Sequence, residues 1–200
     1  LNVPVGTPEE ARKAVAEQAA KGVDFIKIWV DDERRMIPVK MTYDVTKAAI
    51  NEAHRLKLKV LAHVYYLDDA KELVRQGVDG FGHIVRDQAV DKELMDMMKA
   101  KGTWQTASTL SREIVYSMAV MPWINDPFFT RGVTPGTMTA LRSPEREKAV
   151  MLGAIRFPGL PYEKRLFYDM GRTVVQAMDN YTAMVQAGVK TGMGTDSGPN

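Results

Sequence analysis

Val60-Leu61-Ala62-His63-Val64-Tyr65 and, after a helical interval from Asp68 to Gln76, Asp79-Gly80-Phe81-Gly82-His83-Ile84-Val85 read as strand, helix and strand, with a histidine near the end of each strand. The same unit recurs outward in both directions. Upstream, Thr7-Pro8-Glu9-Glu10 supplies an N-cap, a proline at the first helical position and a glutamate placed for a capping box, so a helix runs to about Lys21 and Gly22 ends it. Asp24-Phe25-Ile26-Lys27-Ile28-Trp29-Val30 is then a strand, and Thr42 can cap a helix with Val45, Ala48, Ala49, Ile50 and Ala53 on its apolar side. Downstream come a helix from Asp91 to Lys101, a strand from Thr103 to Thr109, a helix of roughly Gly171 to Gln186, and a strand from Lys190 to Asp196. Strands that alternate with helices imply right-handed βα units and a parallel sheet. Periodicity alone leaves a barrel and an open doubly wound sheet equally open. No glycine-rich phosphate loop follows any strand, which removes the usual reason for the doubly wound form. The expected fold class is α/β, a partial (β/α)8 TIM barrel.

Composition narrows the function classes. Two hundred residues, 45% hydrophobic and 26% charged, can bury one ordinary core. With 27 basic residues scattered among 25 acidic ones and a formal charge of +2, no footprint for nucleic acid or anionic lipid stands out, so neither is expected as a partner. The apolar run around Met118 to Ile124 is broken by Pro122 and falls far short of a membrane span. Without cysteine there is no thiolate site, and any metal must be held by histidine, carboxylate or modified lysine.

Residues from about 110 to 170 interrupt the alternation and are rich in Met, Pro and aromatics, among them Met118, Trp123, Phe128, Met138, Phe157 and Tyr168. Ser143-Pro144-Glu145 should start a helix there. An insertion of this size after a barrel strand is placed either to roof a site or to form a contact between subunits, as in a homo-oligomer, and the sequence favours neither. The chain opens at Leu1 and stops at Asn200 directly after an apparent strand, which reads as an excerpt of a longer barrel, incomplete at both ends.

Period-two alternation sorts the polar residues. In the first strand Ile26, Ile28 and Val30 form one face and Phe25, Lys27 and Trp29 the other. Lys27 is thus expected to point into the barrel, where an unpaired buried ammonium is costly and something must neutralise it. In the second strand Leu61, His63 and Tyr65 point inward, and in the third Phe81, His83 and Val85. The last strand ends Gly192-Met193-Gly194-Thr195-Asp196, with small inward residues leaving space beneath Asp196. A lone buried histidine or a strand-end acid is ordinarily structural. One Lys, two His and one Asp together at the carboxyl ends of barrel strands occupy the face where such barrels keep catalytic groups. The third histidine, His54, lies near a helix C-terminus, where a partly cationic imidazole suits the helix dipole, and is read as structural.

The order Ile26-Lys27-Ile28-Trp29, Ala62-His63, Gly82-His83 and Gly194-Thr195-Asp196 resembles the amidohydrolase superfamily, especially its prolidase-like and imidazolonepropionase-like branch, over nearly the whole chain. The resemblance implies strands four to eight of the barrel. It implies a carboxylated Lys27 bridging two divalent metals, His63 and His83 as ligands of one metal, and Asp196 as ligand of the other and general base. Carboxylation would turn a buried cation into a bidentate anion able to hold two metals about 3.5 to 4 Å apart, and the metals would acidify water toward a pKa of about 7. Imidazole and carboxylate ligands suit several divalent ions, with zinc favoured on general affinity. The implied reaction is hydrolysis of a C-N bond in a small amide, cyclic amide or dipeptide by metal-activated hydroxide. The family's His-x-His pair of the first strand has no counterpart here, so about half the metal shell is expected to be missing and the stretch inactive by itself. Two other classes stay open: a Schiff-base lyase using Lys27 as an amine nucleophile, and a non-catalytic barrel scaffold.

Overall fold

The computed structural model describes residues 3–32, 39–108, 110, 124–151 and 170–195. These fall into two compact units, Leu1–Thr109 with Gln176–Thr195, and Leu110–Val175 with Asp196–Asn200.

The first unit carries a sheet of five strands: β1 Phe25–Trp29, β2 Lys59–His63, β3 Gly80–Phe81, β4 Trp104–Thr106 and β5 Thr191–Gly192. All neighbouring pairs are parallel and the spatial order is the chain order, β1-β2-β3-β4-β5. The strands alternate with helices α1 Pro8–Ala19, α2 Tyr43–Arg55, α3 Leu67–Gln76 and α4 Lys92–Lys101; the last helix, α8 Met170–Gln186, precedes β5. Local chemistry explains these bounds. Thr7 Oγ1 accepts from the Glu10 amide at 3.2 Å while Glu10 Oε2 accepts from the Thr7 amide at 3.2 Å, the reciprocal box expected for α1. Helices α3 and α4 both stop at a glycine in the left-handed region, Gly77 at φ +97° and Gly102 at φ +71°. Thr42 stands at the N-cap of α2 but makes no capping bond, because its hydroxyl donates to the Asp44 carboxylate instead.

One buried cluster contains Ile26, Ile28, Val60, Ala62 and Phe81 from the sheet together with Val15 of α1, Ile50 of α2, Leu73 of α3, Leu94 and Met98 of α4, and Met184 of α8. Every helix of this unit therefore covers the same face of the sheet. A doubly wound sheet has helices on both faces and a reversal of strand order, and the described residues of this unit show neither feature; the fold is part of a (β/α)8 barrel. On the opposite face of β1, Phe25, Lys27 and Trp29 are exposed.

The second unit contains α5 Pro127–Thr130, α6 Pro135–Leu141 and α7 Pro144–Met151, each with proline at its first position. Asp126 and Thr134 cap the first two through the Phe128 and Thr137 amides, and Ser143 Oγ accepts from the Arg146 amide at 3.1 Å. The helix expected at Ser143-Pro144 is present. Of the aromatic residues read in this stretch, Trp123, Phe157 and Tyr168 lie outside the described residues. No described helix is long and apolar enough to cross a membrane.

Asp79 clamps the amino end of the sheet. Its carboxylate accepts from the Val60 amide at 2.8 Å, from Lys59 Nζ at 2.7 Å, and contacts His54 Nε2 at 2.7 Å. His54 thus has the structural role read from its place near the end of α2. Burial pushes the Asp79 carboxyl up, but the bonds from Lys59, His54 and the Val60 amide outweigh it and hold the group below its ordinary value. A depressed folded pKa contributes stability above the unfolded value, about 3.9, that is lost as pH falls through the folded one. The urea midpoint should therefore drop as acid is added below about pH 4, and Asp79→Asn should lower stability at neutral pH and flatten that slope. An unchanged slope in the variant would remove Asp79 from the acid response.

Candidate functional site

Register fixes which side chains share the uncovered face. Parallel partners project to the same side, and β1 pairs with β2 as Lys27↔Leu61 and Trp29↔His63. Lys27, Trp29 and His63 therefore lie on one face, as alternation predicted for both strands. Lys27 itself is exposed, not buried as expected, because β1 is the edge of the described sheet. An open groove of about 970 Å³, lined in part by Val15, Ile26, Lys27, Trp29 and Met41, runs along that edge. The desolvation argument for its neutralisation has no support from burial. Lys27 sits two residues before the His63 level, about 6.6 Å along the strand, a span that a lysine side chain covers.

His63 is at the carboxyl end of β2 and is 5% exposed. Trp29 stacks on its ring, centroid to centroid 4.1 Å at an interplanar angle of 8°, and the His83 ring stands 4.0 Å away at 47°. The two histidines singled out from sequence thus meet. They do not meet for the reason given. Phe81 pairs with Ala62 and lies in the helix-covered core, so β3 presents Gly80 and Gly82, not Phe81 and His83, on the face of Leu61 and His63. Trp104 explains the glycine: a Cβ at Gly80 would stand 2.2 Å from the indole. β3 ends at Phe81, the chain bends at Gly82 and His83, and this break in alternation brings His83 to His63.

Buried amides hold the bend. Gln105, fully buried on β4, donates through Nε2 to the carbonyls of His83 at 3.0 Å and Thr106 at 2.9 Å, with Phe81 at 3.4 Å. Thr106 Oγ1 donates to the Gly82 carbonyl at 2.9 Å. Farther along, Asn180 of α8 donates to the carbonyls of Val85 and Gln88 at 2.8 and 2.9 Å and accepts from the Val90 amide at 2.9 Å. The loop carrying His83 is thus tied on both sides by side chains that replace ladder bonds.

Sequence reading missed Asp31 and Arg86. Asp31 is 3% exposed at the end of β1, with Oδ2 2.9 Å from His63 Nε2. Continuing the odd-numbered series Phe25, Lys27, Trp29 by two residues would have found it. Arg86, also buried, donates to the Ile84 carbonyl at 2.9 Å and lies 4.8 Å over the Tyr65 ring; it follows the bend, where no period applies. Nearby, Tyr66 donates to Asp32 at 2.8 Å, and burial together with that carboxylate pushes its phenol well above the ordinary range. Asp196 lies outside the described residues. Of the two glycines expected to leave room before it, Gly192 faces open space, but Gly194 does not, because a Cβ there would stand 2.4 Å from Ser108 Oγ.

Among the described residues no three of His, Asp, Glu or Cys stand together as a metal-holding group. The pair that does converge suits a divalent ion: two imidazoles in contact, and a His63 Nδ1 that is buried and has no hydrogen-bond partner. That orphan nitrogen costs stability unless it accepts something, which a cation would supply.

No family model matches the chain. Over 73 residues it is 37% identical to an uncharacterized protein of Mycobacterium tuberculosis, a match covering 35% of the chain and 20% of that relative. Solved structures resemble nearly its whole length. A putative prolidase from Bifidobacterium longum superposes with a TM-score of 0.63 at 22% identity, covering 98% of the chain and 40% of the prolidase. A prolidase complexed with N-methylphosphonate-L-proline gives 0.66 at 20% identity, covering 96% and 38%. An A. niger ochratoxinase gives 0.62 at 18% identity, covering 98% and 36%. The chain thus spans about two fifths of these structures, and what it shares with them is the fold.

Replacing Gln105 by leucine keeps the volume but removes the amide that donates to the His83 and Thr106 carbonyls. At about 1 to 3 kcal/mol for each buried unsatisfied group, the variant should lose roughly 2 kcal/mol or more of unfolding free energy. Denaturant titration reads this directly, and a loss within about 0.5 kcal/mol would mean that the bend holds without the amide.

Proposed function

We propose that the chain is the carboxyl-terminal part of the barrel of an amidohydrolase-superfamily enzyme, a metal-dependent hydrolase of C-N bonds in small amides or dipeptides. The contact of His63 with His83 at the carboxyl side of adjacent parallel strands carries the reading. The supporting features are the exposed Lys27 on the face of His63, the absence of cysteine, and a fold shared with prolidases and an ochratoxinase.

His63 and His83 would hold one divalent ion, with zinc the first candidate; Lys27, as its carbamate, would reach between that ion and a second, and Asp196 would hold the second. When bound, the metal supplies an acidified water and a polarised carbonyl. The residues do the rest. Asp196 orients the attacking water, takes its proton and passes it to the departing nitrogen, which leaves as an amine. Trp29 stacks against His63 and confines that imidazole on one side. A ligand carrying phosphonate on proline, as in one structural relative, puts a tetrahedral centre where an amide carbon under attack would be. Proline dipeptides are therefore the first substrates to assay.

The full-length protein should contain divalent metal by elemental analysis and lose hydrolysis of Xaa-Pro dipeptides and acyl amides on chelation. A metal-free protein that instead lost activity to borohydride in the presence of substrate would transfer the chemistry to the Lys27 amine. Lys27→Ala should remove most metal and activity, with partial recovery when a short carboxylic acid is supplied. Asp196→Asn should keep more metal than Lys27→Ala yet lose catalysis. A rate reduced by less than about tenfold, roughly 1.4 kcal/mol of barrier, would end the general-base role.

A further inference from the structure

Thr106 and Ser108 stand at the carboxyl end of β4, and strand pairing decides which way they point. Thr106 pairs with Gly192, and the Ala107 amide donates to the Gly192 carbonyl at 2.9 Å, so the ladder runs on past β4 and sets Ser108 opposite Gly194. Gln105 pairs with Phe81 of the core, which puts Thr106 and Ser108 on the other face of the sheet, the one that holds His63. A hydroxyl has one proton to give. Thr106 Oγ1 lies 2.9 Å from the Gly82 carbonyl and 3.2 Å from the Phe81 carbonyl, which can only accept, so its proton is committed there. In its 3.0 Å contact with Ser108 Oγ it must then accept, and Ser108 donates. Ser108 can turn its hydroxyl aside only by giving up Thr106.

The same oxygen meets the neighbouring strand. A Cβ at Gly194 would stand 2.4 Å from Ser108 Oγ, but 3.6 and 3.9 Å from Ser108 Cβ and Cα, which is ordinary contact. One atom is the whole obstacle. Gly80 differs, since a Cβ there would meet three indole atoms of Trp104 within 2.7 Å.

We propose that Ser108 is a positioning residue whose single oxygen spaces the strand end leading to Asp196 from the bend that carries His83. The proposal rests on reading His83 as a ligand and Asp196 as the base. Through Thr106 the oxygen is referred to Gly82, one residue before His83, and by direct contact to Gly194, two residues before Asp196. Proton transfer between a held water and a carboxylate depends on such spacing, and a displacement of about 1 Å can cost about 100-fold in rate.

The test moves the atom from one strand to the other in the full-length protein. Ser108→Ala empties the place and Gly194→Ala overfills it; each should lower kcat about 10- to 100-fold with KM within about twofold and metal content unchanged. In the double variant Ser108→Ala/Gly194→Ala the new methyl stands where the hydroxyl stood, and kcat should return to within about threefold of wild type. A group that acted by its proton or its lone pairs would not be replaced by a methyl on the neighbouring strand. Ser108→Ala within about twofold of the wild-type kcat, or a double variant no faster than the slower single one, overturns the proposal. Urea midpoints keep the test independent of hydrolysis: Gly194→Ala should unfold earlier than wild type, or not fold, and the double variant should regain the midpoint. If wild type hydrolyses no amide, the reading of the site falls and the midpoints decide the spacing alone, with a double variant no more stable than Gly194→Ala removing it as well.

Discussion

All the helices of the barrel unit bury against one face of its sheet, and that one-sided burial organises the molecule. Ile26, Ile28, Val60, Ala62 and Phe81 meet Ile50, Leu73, Leu94, Met98 and Met184 in one cluster. Fully burying a large apolar side chain is worth about 1.5 to 3 kcal/mol, more than a surface ion pair at about 0 to 1 kcal/mol. The covered face therefore sets the rotation of β1 and β2, and the uncovered face receives what remains: Lys27, Trp29 and His63. Neither chemistry nor charge is needed to explain why these three share a side. The core does it.

The third strand obeys the same constraint with a different outcome. Phe81 is drawn into the core, and regular alternation would send His83 the same way. A histidine among Val74, Leu94 and Met98 would leave a ring nitrogen without a partner. The strand stops instead, bends at Gly82 and delivers the imidazole to the polar face. Ending a strand early leaves carbonyls unpaired, and the amides of Gln105 and Asn180 answer that cost. The bend, the buried amides and the His-His contact are one arrangement.

The parts of the fold legible in the sequence are those where one local rule acts alone. The Thr7 to Glu10 capping box, the helix at Ser143-Pro144, the order of βα units and the facing of Lys27, Trp29 and His63 all follow from short patterns. The doubly wound alternative could not be dismissed by periodicity, because both folds repeat the same unit; only the side on which helices pack separates them. For His83 the alternation argument reached the right partner through a false premise, since Phe81 and Gly80 lie on the opposite sides to those expected. Asp31 escaped because the alternating face was read only as far as Trp29, although the same period reaches two residues more. The burial expected of Lys27 assumed a closed wall beside β1, and the described sheet ends there.

The ties around His83 also bear on when the site can form. Gln105 follows His83 by 22 positions, and Asn180 reaches Val85 and Val90 across 95 and 90. The pairing of β1 with β2, Phe25 with Lys59, spans far fewer positions than the Asn180 ties and costs less loop-closure entropy. During synthesis the covered face of the first three strands can condense early, while the loop after His83 waits for a helix translated long afterward. Until Asn180 arrives, the carbonyls of Val85 and Gln88 lack the amide that binds them in the folded unit. The face that holds His63 and His83 is then among the later parts of this unit to become rigid, and an interval of that kind is when a chaperone or a protease would find it open.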